Sequence, residues 1–173
     1  MSLLLEAKRQ GKEEKLRKAV KFSNALTVIE HSAFYGCRAL ESVTIPDNVT
    51  TLGNSAFYHC DNLKNAVIGN GITSIGYDTF RNCYNLESIT IGKNVTEIMR
   101  DAFYGCTSLQ GIKLANGLNT IGNYAFSGCI NMNTIDMDVS SNLTAIGNHA
   151  FYDCERLKGF AVPINVRVLC DSA

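Results

Sequence analysis

A 23-residue periodicity in phenylalanine and cysteine constrains this chain of 173 residues more than any other feature. Six phenylalanines follow one another at spacings of 23, 23, 23, 23 and 25 residues: Phe34, Phe57, Phe80, Phe103, Phe126 and Phe151. A cysteine stands three residues after each of them: Cys37, Cys60, Cys83, Cys106, Cys129 and Cys154. A fixed period of this length is typical of repeat proteins, in which each unit packs mainly against its two neighbours.

Each unit contains a short strand followed by two turns. Val43 and Ile45 alternate with Ser42 and Thr44, which is the pattern of a strand with one buried face. No unit of this size can bury its apolar side chains alone, so stacking has to build the core. We predict a leucine-rich-repeat solenoid of six coils of about 23 residues. A parallel β-sheet should run along one side, and the Ala-Phe segments should form short helical or 3-10 turns.

Two further positions of the repeat predict the conformation of the backbone. We call the residues that occupy one repeat position in successive coils a column. The residue that ends the turn after the strand is always Asn or Gly: Asn48, Gly71, Asn94, Gly117, Asn142 and Asn165. These residue types adopt left-handed conformations at the lowest cost, so the column is predicted to have positive φ. Ser55, Asp78 and Asp101 stand just before the Ala-Phe segment and are predicted to cap its helical turn.

The N-terminal segment is distinct from the repeat. Residues 1–21 carry seven Lys or Arg against three Glu, while the remainder carries 9 basic and 13 acidic residues. Residues 1–18 are therefore predicted to be a basic leader, helical or disordered. Val20 falls 23 residues before Val43, so a degenerate first strand should open the solenoid, residues 19–173, near Ala19.

The end of the chain and its composition also predict the setting in which the protein occurs. The last coil is incomplete and stops at Ala173, so we expect the chain to belong to a longer array. No signal peptide is visible, and no apolar run reaches the ~18 residues of a membrane span. The solenoid lacks the basic stripe that a nucleic-acid partner would require. The sequence gives no indication of oligomeric state.

Residues 26–169 resemble the BspA-like leucine-rich repeats of bacterial and protozoan surface proteins. The resemblance rests on the segments IPDNVT at 45–50 and LGNSAF at 52–57, followed by Cys60, a motif that recurs six times. Met99 in place of Gly and Thr79 in place of Ala depart from the pattern. The resemblance implies an adhesin that binds proteins of a host, a neighbouring cell or the extracellular matrix. It also implies a cell-surface or secreted location; a cytoplasmic location is the alternative favoured by the missing signal.

The cysteines do not have the spacing of a metal site. No C-x₂₋₄-C pair occurs, and such pairs are typical of zinc sites. Six cysteines at one repeat position instead predict a structural ladder inside the core, where a free thiol acts as a small apolar side chain. A Cys37–Cys60 disulfide between adjacent coils is the alternative. We expect no metal and no cofactor.

Catalysis is not indicated by any motif. His31, His59 and His149 lie in different coils and show neither a Ser/His/Asp arrangement nor H-E-x-x-H spacing. Surface histidines account for all three. The chain is therefore expected not to be an enzyme.

Two exposed surfaces are candidates for binding a protein partner. The first is the position after each Phe, where residue types enriched in interface hot spots recur: Tyr35, Tyr58, Arg81, Tyr104 and Tyr152. The second is the outward strand face, represented by Thr44, Thr90, Lys113 and Asp136. The predicted function is a non-catalytic protein-binding module of the adhesin type. An intracellular leucine-rich-repeat scaffold and a structural spacer within a multidomain protein are the alternatives.

Overall fold

The computed structural model describes residues 18–173, so the predicted leader lies outside the described residues except for Lys18. Thirteen short strands occur in the described part of the chain. In chain order they are β1 Ala19–Val20, β2 Val28–Ile29, β3 Ser42–Ile45, β4 Thr51–Leu52, β5 Asn65–Ile68, β6 Ser74–Ile75, β7 Ser88–Thr90, β8 Glu97–Ile98, β9 Gly111–Lys113, β10 Thr120–Ile121, β11 Thr134–Asp136, β12 Ala145–Ile146 and β13 Val168–Leu169.

The strands form three parallel sheets that wind the chain into a solenoid. A six-stranded sheet has the order β1-β3-β5-β7-β9-β11, a five-stranded sheet the order β13-β12-β10-β8-β6, and β2 pairs with β4. Ala19 pairs with Ser42, one repeat later, and the two-residue insertion shifts the pairing of Thr120 to Ala145. The predicted solenoid, its parallel sheet and the first strand near Ala19 are confirmed. Six complete coils are followed by the start of a seventh.

The core consists of ladders of equivalent side chains from successive coils. The repeat phenylalanines form a continuous parallel stack, with neighbouring ring centroids 5.1–5.4 Å apart and interplanar angles of 0–5°. Phe22 meets the first ring of the stack edge-on and Phe160 meets the last one. Both ends of the aromatic ladder are therefore closed by a side chain from the adjacent partial unit.

The Ala-Phe segments are turns, and the predicted helical or 3-10 conformation is wrong for residues 18–173, which contain no helix. Their amides alternate between two partners. The Tyr58 amide donates to Ser55 O within the coil at 3.1 Å, whereas the Phe57 amide donates to Thr79 O of the next coil at 2.9 Å. A helix would direct every amide to its own coil. Half of these amides instead hold adjacent coils together.

Left-handed backbone occurs in this segment, not in the Asn/Gly column where it was predicted. The first left-handed position comprises Ser32, Ser55, Asp78, Asp101, Tyr124, His149 and Ser172, and the second comprises Gly36, His59, Asn82, Gly105, Gly128 and Asp153. Ser55, Asp78 and Asp101 therefore do not cap a helix.

The Asn/Gly column has a different role, which is contact between coils. The Asn94 side-chain amide donates to Asn70 O at 2.8 Å, and that of Asn165 donates to Ser141 O at the same distance. At Gly71, a Cβ would lie 2.3 Å from Asp47 O, so the neighbouring coil excludes any side chain there. The prediction of positive φ was wrong because it considered only single-residue preferences.

Candidate functional site

The cysteine column supports the turn from which the candidate binding residues project. All seven cysteines lie within the described residues and none forms a disulfide, which excludes the Cys37–Cys60 bridge. From Cys60 onward, each ladder thiol donates to the carbonyl of the phenylalanine one coil earlier. The Sγ–O distances are 3.1–3.3 Å. Each of these carbonyls also accepts the amide of the cysteine in its own turn, so the thiol uses the second acceptor site of the same oxygen.

Burial makes these thiols poor nucleophiles and poor metal ligands. It raises the pKa of the Cys106 and Cys129 thiols well above the ordinary value, and that of Cys154 to about 11. The thiolate is the reactive form of cysteine, and it is scarce at neutral pH in this environment. Within residues 18–173, no three His, Cys, Asp or Glu side chains are grouped so that they could hold a metal ion.

The residues that follow the phenylalanines form a row that we call the tyrosine edge: Tyr35, Tyr58, Arg81 and Tyr104, with Tyr152 further along. The rings of Tyr35 and Tyr58 stack at 5.1 Å with an angle of 6°. The Arg81 guanidinium lies 4.2 Å from the centroid of the Tyr104 ring. Ser127 is buried and separates this row from exposed Tyr152. Four successive coils therefore contribute two packed pairs, Tyr35 with Tyr58 and Arg81 with Tyr104. Tyr35 is exposed, and the other three side chains are partly buried.

An ion-pair network around the buried Asp101 carboxylate holds the centre of the tyrosine edge. The Asp101 carboxylate, 7% exposed, forms an ion pair with Arg81 Nη1 at 3.0 Å and accepts a hydrogen bond from Arg100 Nε at 2.9 Å. Arg81 also lies 3.4 Å from Asp78. Both aspartates were predicted to cap a helical turn, and the repeat pattern did not predict this network. The sequence does contain a signal for the network. Arg81 is the one Arg in the tyrosine column, and Asp78 and Asp101 share another column close to it.

An open groove of about 890 Å³ lies beside Arg81. Its lining combines aromatic, charged and aliphatic side chains from three coils, among them Tyr77, Glu97, Met99, Arg100, Thr120 and Asn123. Tyr77 is about half exposed. Met99 occupies the column in which Gly53, Gly76 and Gly122 allow close packing, so its side chain adds to the groove lining.

The outward strand face is a separate surface. Thr44, Thr90, Lys113 and Asp136 lie on the six-stranded sheet and are all exposed. Lys113 and Asp136 form an ion pair at 3.3 Å. This pair is too exposed to contribute much stability. The groove beside Arg81 does not extend to this face, since none of these four residues lines it.

The histidines do not form a catalytic arrangement. His59 Nδ1 lies 3.3 Å from the Asp61 carboxylate, and its ring packs edge-on against Tyr58. His149 packs between Tyr124 and Tyr152. Both rings serve as contacts between aromatic side chains of the turns.

Comparison with known proteins decides the family. The model for the BspA type leucine rich repeat region matches residues 13–99 and 73–173, with six copies of the repeat. The chain belongs to this BspA-type leucine-rich-repeat family. No curated protein matches the chain.

Solved structures of bacterial leucine-rich-repeat proteins share the BspA-type fold. A leucine-rich repeat protein from Bacteroides ovatus is 27% identical with a TM-score of 0.73, covering 87% of this chain and 44% of its own. A leucine rich cell surface protein from Faecalibacterium prausnitzii is 29% identical with a TM-score of 0.69, covering 87% and 42%. The T. pallidum leucine-rich repeat protein, 24% identical with a TM-score of 0.66 over 82% and 78%, shows the fold alone. The chain thus spans less than half the length of the first two.

The two departures from the BspA-type pattern are accommodated locally. Thr79 is fully buried in the alanine column, and its hydroxyl donates to Gly76 O at 2.8 Å. Met99 keeps the contact between coils through its amide, which donates to Ile75 O at 2.9 Å. No helix within residues 18–173 is long and apolar enough to cross a membrane.

Proposed function

We propose that the chain is a non-catalytic protein-binding module and that its tyrosine edge, with the adjacent groove, contacts the partner. The observation that carries the proposal is the row of two packed pairs, Tyr35 with Tyr58 and Arg81 with Tyr104, in which Arg81 also lines that groove. Tyrosine and arginine are enriched among the residues that dominate binding energy. The outward strand face, represented by Thr44, Thr90 and the Lys113–Asp136 pair, offers neither Tyr nor Arg at these positions, which favours it less.

The order of the tyrosine edge supports this role. Arg81 is fixed by two carboxylates and by the Tyr104 ring, and the Tyr35 and Tyr58 rings fix each other. Side chains that are already ordered lose little conformational entropy when a partner binds. A rigid solenoid extends the same advantage over several coils, which suits a partner with an extended surface.

A matched pair of variants tests the binding surface. We expect the full chain to bind immobilised collagen, laminin or fibronectin in surface plasmon resonance, since the family resemblance implies a matrix partner. Replacing Tyr58 and Tyr104 with Ala should weaken binding at least tenfold, because hot-spot truncation costs about 2 kcal/mol or more. The control, Thr44→Ala with Thr90→Ala on the strand face, should bind as the wild type does.

The result can contradict the proposal in two ways. Unchanged affinity of the tyrosine variant, with loss of binding in the strand-face control, would assign recognition to the sheet. Absence of binding to all three matrix proteins would remove the matrix partner and favour the scaffold or spacer alternatives. Circular dichroism and urea unfolding of each variant separate a binding defect from a folding defect.

Surface display is the second part of the proposal. It is supported by the name of the Faecalibacterium prausnitzii relative, which is described as a cell surface protein. Treatment of intact source cells with a protease should remove the protein's antibody signal, whereas a cytoplasmic marker should persist. Retention of the signal in intact cells, with loss only after lysis, would place the protein inside the cell.

A further inference from the structure

Two Asn-Gly pairs occupy the same turn of the repeat in different coils. They are Asn70-Gly71 and Asn116-Gly117, and the chain contains no others. Asparagine followed by glycine is prone to spontaneous deamidation, because glycine has no side chain to hinder attack by its nitrogen on the asparagine side chain. Identical pairs react alike in an unfolded chain, so a difference between these two has to come from the fold.

Asn70 is held by the coils on both sides of it. Its amide donates to Asp47 Oδ1 of the preceding coil at 2.7 Å, and its own Oδ1 accepts the Lys93 amide of the following coil at 3.1 Å. Gly71 is confined as well, because a Cβ there would lie 2.3 Å from Asp47 O. The Asn70 side chain therefore cannot turn toward the Gly71 nitrogen without breaking its bond to Lys93.

Asn116 lacks the equivalent contact because the coil that follows it contains the two-residue insertion. In that coil the Ser140 amide donates to the Asp138 carboxylate at 2.8 Å, and the Ser141 amide donates to Asp138 O at 2.9 Å. The Asn116 side chain is exposed and forms no hydrogen bond within residues 18–173. A Cβ at Gly117 would meet nothing closer than 3.9 Å. The side chain and the nitrogen beside it are thus both unconfined.

We propose that Asn116 is a site of spontaneous deamidation in the folded protein and that Asn70 is protected from the same reaction. Hydroxide removes the proton of the Gly117 amide, and its nitrogen attacks Asn116 Cγ. A bond forms between these two atoms, the bond from Cγ to Nδ2 breaks, and ammonia leaves with a proton from water. Water then opens the resulting succinimide at either carbonyl carbon, which gives aspartate or isoaspartate. One water is consumed and one ammonia is released, without oxidation or reduction.

The products differ from the parent chain in charge and in backbone geometry. Both add a negative charge to a chain whose formal net charge is zero at pH 7, so ion-exchange chromatography separates them from it. Isoaspartate also adds one methylene to the main chain. The Asn116 carbonyl accepts the Asn142 amide of the following coil at 2.9 Å, and this bond cannot keep its geometry when the main chain is lengthened there.

Peptide mass spectrometry tests the proposal on the full chain, incubated in heavy-oxygen water at mildly alkaline pH. Each deamidation places a heavy oxygen in the new carboxyl group. Asn116 should acquire the label at least about tenfold faster than Asn70, since a single hydrogen bond corresponds to about that factor. In urea, where the fold is absent, the two asparagines should react at similar rates.

A matched pair of variants isolates the hydrogen bond that protects Asn70. Lys93 is the second residue of a turn in which the Val95 amide donates to Gly92 O at 3.1 Å, a position that favours proline. Lys93→Pro removes the protecting amide and should raise the Asn70 rate toward that of Asn116. Lys93→Ala keeps the amide and should leave Asn70 as slow as in the wild type.

Four results would overturn the proposal. They are an Asn70 rate equal to that of Asn116 in the folded chain, an unreactive Asn116, a difference that persists in urea, and a slow Asn70 in folded Lys93→Pro. Faster reaction of Asn70 in Lys93→Ala would also contradict it, because the lysine side chain would then be the protecting group. Circular dichroism verifies the fold of both variants. Should Lys93→Pro not fold, the wild type with and without urea still decides the matter.

Discussion

At the scale of single residues, the left-handed positions of the turns place strain on the backbone wherever the residue is not glycine. Ser55 has φ of 55°, a conformation that costs a residue with a Cβ about 1–2 kcal/mol and glycine little. Ser55→Gly should therefore stabilise the protein by up to about 1 kcal/mol, after the larger entropy of unfolded glycine is subtracted. Urea unfolding at pH 7 measures the change.

Ser42 provides the matched control for that substitution. It lies in strand β3, where backbone is extended, so Ser42→Gly should destabilise the protein by about 0.5–1 kcal/mol. Equal destabilisation by both substitutions would show that the turn is not strained at Ser55.

The buried thiols make stability depend on alkaline pH. Burial raises the pKa of Cys106 above the ordinary value of 9.0, so unfolding above pH 9 releases a proton that the folded state retains. The contribution of the protonated Cys106 thiol to the free energy of unfolding is complete below pH 9. Above pH 9 this contribution falls by about 1.4 kcal/mol per pH unit. Cys106→Ala should therefore lose stability less steeply than the wild type between pH 9 and 11, as measured by urea unfolding.

The control for the thiol is Ile98→Val, which removes one buried methylene without removing an ionisable group. It should cost about 0.5–1.5 kcal/mol at every pH and give a curve parallel to that of the wild type. A Cys106→Ala curve that is also parallel would mean that the thiol ionises equally in the folded and unfolded chains.

At the scale of the coil, some glycines lie where the backbone of the preceding coil leaves no room for a Cβ. A Cβ at Gly122 would lie 2.6 Å from the Arg100 amide nitrogen of the preceding coil, whereas one at Gly117 would meet nothing closer than 3.9 Å. Gly122→Ala should destabilise the protein by about 1–3 kcal/mol, because the coils must separate. Gly117→Ala should be neutral or slightly stabilising. Thermal unfolding distinguishes them, and similar midpoints for both variants would contradict the steric argument.

Strands and core ladders could be predicted from the sequence, because period-two alternation and the 23-residue spacing each occur in several copies. The turn conformation could not. Tyr124 and His149 adopt positive φ, a conformation that tyrosine and histidine disfavour. They do so because contacts with the next coil require it: the Tyr124 amide, for example, donates to Asn148 O at 2.9 Å. Contacts between coils override local propensity at these positions.

One part of the candidate site could likewise be predicted from the sequence, and another part could not. The tyrosine row followed from one column of the repeat. The Arg81–Asp101 ion pair and the groove with Met99 depend on side chains from neighbouring coils. Their distances follow from the path of the turns, which single-residue preferences did not predict. The residue type at one repeat position can be read from the sequence of a single unit, whereas a binding site is formed by side chains from several units.

At the scale of the whole molecule, stability is a sum of contacts between neighbours rather than the property of one central core. Each interior coil contributes a phenylalanine to the stack and a thiol that donates to the preceding coil, and it is covered on two sides. The last coil is covered on one side only, and its Leu169 is exposed. A linear array of this kind can open from its end without opening in the middle.

Hydrogen exchange should therefore show a gradient along the axis. The Gly122 amide, bonded to Ile98 O at 2.8 Å, lies between complete coils, whereas the Cys170 amide is bonded to Ile146 O at 3.1 Å in the last coil. Detaching one coil breaks one interface, and exposing Gly122 breaks several. The Gly122 amide should thus exchange at least about a hundredfold more slowly, a difference of roughly 3 kcal/mol in opening free energy. NMR-detected exchange measures both amides. Equal protection at the two positions would mean that all coils unfold together, and stability would then not be a sum over neighbouring coils.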